Sequence, residues 1–315
     1  MGGKKILITG GLGNLGLWIT EYLSKKNYEI YVLSTRSNLD SILIERNFQV
    51  IRGDIRDFTN LQILIPSEID YIIHLASFND YFLPDYPKKA LEINSLGTRN
   101  ILEIAKERKI KRFIYFSTFH VYGASEGYIS EETPTKPKND YAITHLFAEQ
   151  YIQMFSDNYN IPYTIFRLTN SYGAPKDINS SKWYLVLNDL SKMALEKGKI
   201  ILKGNGLQRR DFVSMFDVCR VVEQSLNFVE NGIYNLGYGK SLSILEIANI
   251  VRDVYREEFQ KEIEIIINHQ DTTKPQNLEV DISKIQKLIN FKFQHRFSEE
   301  IRNIFKLLQN RKVNG

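Results

Sequence analysis

Near its start the sequence runs through a strand-sized segment, Lys4–Thr9, into Gly10-Gly11-Leu12-Gly13-Asn14-Leu15-Gly16, and then into an amphipathic helical pattern. No other feature constrains the fold so strongly. Glycines at 10, 13 and 16 permit a tight turn and let the backbone approach an anion closely. The following helix offers unpaired N–H groups and a partial positive charge at its N-terminus. Strand, glycine turn and helix in this order predict a dinucleotide site on a parallel sheet. Gly10, Gly13, Asn14, Leu15 and Gly16 are its candidate cofactor-binding residues.

The rest of the first half fits such a sheet. A helix is expected over 14–26, with Leu15, Trp18, Ile19, Tyr22 and Leu23 on one face. Strands are expected at Glu29–Leu33, Phe48–Arg52, Tyr71–Leu75, Phe113–Ser117 and Tyr163–Leu168. Long helices are expected at about Pro87–Arg108 and Tyr141–Tyr159. Near-continuous apolar strands alternating with helices imply a parallel sheet covered on both faces. The predicted class is α/β, a Rossmann-type doubly wound sheet with a smaller, discontinuous C-terminal substrate lobe. Beyond Asn170 the alternation loosens into helices near 182–197, 243–258 and 297–310. Phe212–Val222 and Gly232–Leu236 read as returns to the large domain. The expected division is 1–169 plus about 212–236 for the nucleotide-binding domain, and 170–211 with 237–315 for the lobe.

Composition narrows the function classes. A net charge of +4 over 315 residues gives no case for nucleic-acid binding and is compatible with an anionic small substrate. One cysteine, Cys219, excludes an internal disulfide and a cysteine-cluster metal site, and no metal is expected. No signal peptide is visible, and no apolar run approaches the roughly 18–20 residues of a membrane span. A cytoplasmic enzyme is the expectation.

At the end of the second strand a carboxylate would hydrogen-bond the cofactor ribose and repel a 2′-phosphate. Ser34 stands there instead, and Arg36 follows. A charge-assisted fork from Arg36 to a 2′-phosphate favours NADP; as an exposed loop arginine, Arg36 leaves NAD open. Asp54-Ile55 follows the third strand, and His74-Leu75-Ala76-Ser77 closes the fourth. Further on stand Ser117-Thr118-Phe119-His120-Val121-Tyr122-Gly123 and Tyr141-Ala142-Ile143-Thr144-His145, with Glu149 four residues beyond. Arg167-Leu168-Thr169-Asn170-Ser171-Tyr172-Gly173 and Gly204-Asn205-Gly206-Leu207-Gln208-Arg209-Arg210-Asp211-Phe212 come later.

In this order the segments resemble the extended short-chain dehydrogenase/reductases of the NAD-dependent epimerase/dehydratase family, over nearly the whole chain. The resemblance implies that Asp54 and Ile55 lie against the adenine, although Asp54 also reads as a helix-capping turn residue. It implies that Leu75, Ala76 and Ser77 run past the cofactor ribose. Thr118, Tyr141 and the position of His145 become the catalytic set. In the family the tyrosine hydroxyl takes the substrate proton as hydride leaves for the nicotinamide, and a lysine ammonium steadies the phenolate. Here that lysine is His145, so the motif is Tyr-x-x-x-His. Histidine donates a hydrogen bond but is largely neutral at pH 7.

Asn170 and Arg210 are the implied contacts to a nucleotide-diphosphate sugar, GDP- or UDP-linked. Lys274, in Thr273-Lys274-Pro275, belongs to the segment that closes over the nucleotide. His120 reads either as facing the sugar or as a packed loop residue. Phe119 and His120 occupy the places where the 4,6-dehydratases carry Asp-Glu, which argues against dehydration. The implied reaction is hydride transfer at sugar C4, of 4-epimerase type. The alternatives are a one-way GDP-sugar (for example GDP-heptose) 4-dehydrogenase or 4-ketoreductase in surface polysaccharide biosynthesis, and a non-catalytic NAD(P)-binding sensor or scaffold. The resemblance further implies a homodimer through the helices near 88–108 and 141–158.

Overall fold

A computed structural model of the chain describes residues 3–79, 85–272, 274 and 276–313, the side chains of 311–313 excepted. Seven strands form one parallel sheet. They are β1 (Lys4–Thr9), β2 (Tyr28–Ser34), β3 (Gln49–Arg52), β4 (Tyr71–His74), β5 (Arg112–Thr118), β6 (Tyr163–Leu168) and β7 (Gly232–Leu236). Their spatial order is 7-6-5-4-1-2-3. The order reverses beside β1, where Thr9 pairs with His74 of β4. In open α/β sheets the crevice outside the strand ends at such a point is where ligands bind.

The main helices among the described residues are α1 (Asn14–Ser24), α2 (Phe58–Leu64), α3 (Tyr86–Ala90), α4 (Thr98–Arg108), α5 (Asp140–Tyr159), α6 (Val186–Lys197), α7 (Met215–Ser225), α8 (Ile244–Phe259) and α9 (Phe297–Val313). Strand periodicity divides the core between the two faces of the sheet. Ile6 and Ile8 of β1 pack with Leu17 and Leu23 of α1 and Val218 and Val222 of α7. Leu7, between them, packs on the opposite face with Ile101 and Leu102 of α4 and Ile152 and Phe155 of α5. The single helix expected over 87–108 is interrupted by a π-helical stretch, Leu91–Gly97, between α3 and α4. Within it Asn94 is buried. Its amide accepts from Phe78 N–H at 2.7 Å and donates to Thr144 Oγ1 at 3.0 Å. The wide turn thus ties the loop after β4 to the start of α5.

The smaller lobe is built on α6, α8 and α9, whose Leu187, Leu190, Ile247, Val251, Ile301 and Ile304 share one core. Short strands at Asn170–Tyr172, Arg209–Ser214 and Ser241–Ser243 form a three-stranded sheet at its base. Gly127–Ile129 pairs in parallel with Leu278–Val280. One part of the expected lobe packs elsewhere. Ile285, Ile289 and Phe293 enter the core under α1 and α7. Among the described residues no helix is long and apolar enough to cross a membrane.

Candidate active site

A cavity of about 890 Å³ opens at the switch point. Its floor is the glycine turn. Gly10 has φ +68°, and a Cβ there would meet Ala76 N at 2.7 Å. A Cβ at Gly16 would meet Gly10 O at 2.2 Å, whereas one at Gly13 would meet only Gly10 O, at 3.1 Å. Gly10 and Gly16 therefore build the turn, and Gly13 leaves room above it. Gly13 is also the N-cap of α1, with no side-chain cap and no acidic residue in the first turn. Gly10, Gly13, Asn14, Leu15 and Gly16 all line the cavity. Among the described residues Asn14 Oδ1 is buried without a hydrogen-bond partner. A bare helix N-terminus beside an orphaned acceptor fits a dinucleotide, which brings a diphosphate and ribose hydroxyl donors.

Leu75 and Ser77 lie on the cavity wall; Ala76 packs behind them against Gly10. Ser34, Arg36, Asp54 and Ile55 lie at the ends of β2 and β3, outside that wall. Ser34 Oγ accepts from Arg36 N–H at 3.1 Å, Asp54 pairs with Arg56 at 2.6 Å, and Ile55 is buried against Gly97. The NADP preference expected from Arg36 finds no support here. Its guanidinium is 2.7 Å from the Asp177 carboxylate and also donates to Ser41 Oγ and Asn38 O. A side chain so satisfied must break an ion pair before it can take a 2′-phosphate.

β5 delivers Thr118 to the cavity, and its side chain accepts from His120 N–H at 3.2 Å. Asn139 caps α5 by accepting from Ala142 N–H at 2.8 Å. That cap sets Tyr141 in the first turn and His145 one turn on, so both face the cavity. Thr118 is hydrogen-bonded to the Tyr141 phenol. Burial raises the Tyr141 pKa above its ordinary value, and the Thr118 bond opposes that rise. His145 is buried, and desolvation, with a smaller contribution from His120, pushes its pKa down to about 3. Behind this group Glu149 of α5 is paired with Arg167 of β6 at 2.7 Å, both buried, and accepts from Ser117. The pair anchors the helix carrying Tyr141 to the sheet.

Asn170, His120 and Arg210 line the far wall. Asn170 donates to Asp211 O at 3.1 Å. Arg210 is half-buried and donates to Gln208 Oε1 at 3.1 Å; burial alone holds its pKa below the usual range. Among the described residues no carboxylate is paired with this desolvated guanidinium, which suits it to an anionic ligand. Lys274 is exposed and away from the cavity wall, while Thr273 and Pro275 lie outside the described residues. His74 is a fully buried packing residue, between Thr9 Oγ1 at 2.5 Å and Thr98 Oγ1 at 2.9 Å. Cys219 is buried in the core.

Four residues at the site carry no sequence signal. Asn79, Lys182 and Tyr184 line the cavity, with Lys182 Nζ donating to Asn79 Oδ1 at 2.9 Å. Tyr115 lies behind His145. None belongs to a spaced motif, and Tyr115 reads as an ordinary aromatic of a buried strand.

The sheet order, the glycine turn at its reversal and the facing Thr118 and Tyr141 are those of an extended short-chain dehydrogenase/reductase. Residues 6–237 match the NAD dependent epimerase/dehydratase family, and the chain belongs to that family. It is 30% identical over 271 residues to the dTDP-D-glucose 4,6-dehydratase of Homo sapiens, covering 81% of this chain and 75% of that one. A solved structure of the UDP-glucose 4-epimerase of Thermotoga maritima with UDP-glucose has a similar fold, with TM-score 0.81 and 20% identity, over 97% of this chain and 99% of that one. The UDP-glucuronic acid 4-epimerase of Bacillus cereus, solved with NAD, is 26% identical with TM-score 0.79, again over 97% and 99% of the two chains.

Proposed function

We propose that the chain is an NAD-dependent 4-epimerase of a UDP-linked sugar. The observation that carries this reading is the hydrogen-bonded Thr118–Tyr141 pair, set across one cavity from the glycine turn and from Arg210. When bound, NAD supplies the hydride acceptor and donor. Thr118 holds the C4 hydroxyl, and Tyr141, once ionised to the phenolate, takes up its proton as the C4 hydride leaves. On the return step Tyr141 gives the proton back to the C4 oxygen of the 4-keto sugar. Arg210 and Asn170 hold the nucleotide diphosphate, and His120 borders the sugar. Gly10, Gly13, Asn14, Leu15, Gly16, Leu75 and Ser77 would hold the cofactor, with Ser34 and Asp54, at the ends of β2 and β3, the candidates for its adenosine end.

Elimination of water, the reaction named for the human relative, suits this cavity poorly. Phe119 and His120 follow Thr118, and the described residues lining the cavity include no Asp or Glu. Lys274, from the segment that the resemblance implies closes over the nucleotide, stands exposed outside the wall and gives the GDP-linked alternative no support. NAD is favoured by the ion pair that occupies Arg36 and by the NAD bound in the Bacillus cereus neighbour.

The test is a panel of UDP-, GDP-, dTDP- and CDP-sugars incubated with the protein and NAD, with products identified by NMR. Interconversion of C4 epimers of a UDP-sugar is expected. Tyr141→Phe is expected to lower kcat by about 10²–10⁴-fold with NAD binding nearly unchanged. Retention of most activity in that variant removes the mechanism.

A further inference from the structure

His145 stands where the family resemblance expects a lysine, yet both its ring nitrogens are engaged. Nδ1 lies 2.6 Å from Tyr115 Oη, and Nε2 lies 3.1 Å from Ser77 Oγ. Tyr115 comes from the middle of β5. It is 1% exposed, and its ring stacks on His74 at a centroid distance of 5.7 Å. Ser77 and His145 both line the cavity; Tyr115 does not.

We propose that Tyr115 is a positioning residue that locks His145 as the neutral Nε2–H tautomer, so that the ring donates to Ser77 Oγ and leaves the Ser77 hydroxyl hydrogen to point to the cofactor side of the cavity. The argument is a count of protons. Among the described residues Tyr115 Oη has one hydrogen-bond partner, His145 Nδ1. If Nδ1 carried the proton and donated it, the buried Tyr115 O–H would be left with no acceptor, at a cost of about 1–3 kcal/mol. Ionising Tyr115 is no escape, because burial and Glu149 raise its pKa well above the ordinary value. Tyr115 therefore donates to Nδ1, and the ring proton sits on Nε2. Ser77 Oγ accepts it, which leaves the Ser77 hydroxyl hydrogen free to turn into the cavity.

The groups around the ring leave the neutral state undisturbed. They are Tyr115 from β5, His74 from β4, Ser77 from the following loop, His120 from the turn after β5, and Tyr141 from α5 itself. Glu149, one turn along α5, is committed to Arg167 and Ser117. The histidine thus supplies, through Ser77, a fixed donor without a charge. This assignment rests on the proposed function only in naming NAD as the acceptor on the cavity side.

The experiment uses the full chain with ¹⁵N-labelled histidine, with and without NAD. Two-bond ¹H–¹⁵N correlations identify the tautomer, and the His145 signals are assigned by their loss in His145→Gln. An Nε2–H pattern that does not titrate between about pH 5 and pH 8 is expected. An Nδ1–H pattern, or titration in that window, overturns the proposal. Tyr115→Phe keeps the ring stacked on His74 and removes only the hydroxyl. In it, mixed tautomers and a weakening of NAD binding by about 3- to 10-fold are expected. An unchanged tautomer in that variant overturns the assignment. The tautomer is read without turnover. A protein with the Nε2–H pattern that epimerises nothing therefore refutes the catalytic reading and leaves this one standing.

Discussion

The rings of Tyr141 and His145 stand edge to face with centroids 4.6 Å apart. The contact carries no charge, since desolvation holds the His145 pKa at about 3. The phenol beside it has its own pKa raised by burial. On the proposed mechanism, proton removal from a substrate hydroxyl then depends on Tyr141 alone, helped by Thr118.

Sugar oxidation is accordingly expected to rise with pH on one alkaline limb. His145 adds no step between about pH 5 and pH 8, because it is already neutral there. His145→Lys places an ammonium one helical turn from the phenol and is expected to move the limb down by about 1–3 pH units. A pH–rate profile of transient NADH formation in a single turnover measures this. A limb that stays in place shows that charge at this position does not govern Tyr141.

The glycine turn separates folding from binding. Gly13→Val has an ordinary backbone conformation and a single close neighbour, so it is expected to fold and to lose NAD affinity by more than about tenfold. Gly10→Ala meets the Ala76 backbone at positive φ and is expected to lose stability, by about 1–3 kcal/mol. Calorimetric NAD titration and thermal melts of the two variants check both. Undiminished binding by Gly13→Val would sink the cofactor assignment.

Acid is expected to destabilise the protein before most carboxylates protonate. His74 and His145 both have pKa values pushed to about 3 by burial, against an unfolded value near 6.5. Folded-state values lower than unfolded ones mean that the unfolded chain binds the extra protons. The associated stability is complete above about pH 6.5 and is lost as pH falls toward 3. Two such groups give a slope of up to about 2.7 kcal/mol per pH unit. Urea unfolding at pH 7 and pH 5 measures it, and equal stabilities at the two values contradict the neutral-histidine picture.

Self-association is expected through the helices on the α4–α5 side. Leu91 and Leu96 of the π-helical stretch, and Phe147, Met154 and Tyr159 of α5, are exposed apolar side chains there. A second copy covering them would remove a surface that favours aggregation. Light scattering at micromolar concentration should give twice the chain mass. A monomer, or a Phe147→Glu variant that associates unchanged, argues against this face.

Much of the sheet was legible because its strands are buried on both sides and read as unbroken apolar runs. Tyr163–Leu168 was placed to the residue, and Phe113–Ser117 extends by one residue at each end in β5. The glycine turn was legible because backbone sterics leave few residues able to build it. The three-residue strands Gly127–Ile129 and Leu278–Val280 were not, since so short a run has no periodicity and forms only through its distant partner. The π-helical stretch was hidden because Leu91–Gly97 is compatible with an α-helix; burial of Asn94 against Phe78 marks the change. At the site, the family resemblance pointed to Thr118, Tyr141 and Arg210, and all three line one cavity. It said nothing of Tyr115, which reaches His145 only through sheet geometry, or of Asp177, which claims Arg36 from 141 positions away.

Ile285, Ile289 and Phe293 complete the apolar layer beneath α1 and α7, although the sheet's last strand ends at Leu236. A nascent chain that has delivered all seven strands still exposes the patch these three side chains cover. Between the two stretches the polypeptide must lay down α8 of the other lobe, and afterwards it returns there as α9. Vectorial, lobe-by-lobe folding is thereby blocked. The nucleotide-binding half completes its native core only after residue 293 has left the ribosome, so a chain ending in that interval is expected to leave this apolar patch uncovered.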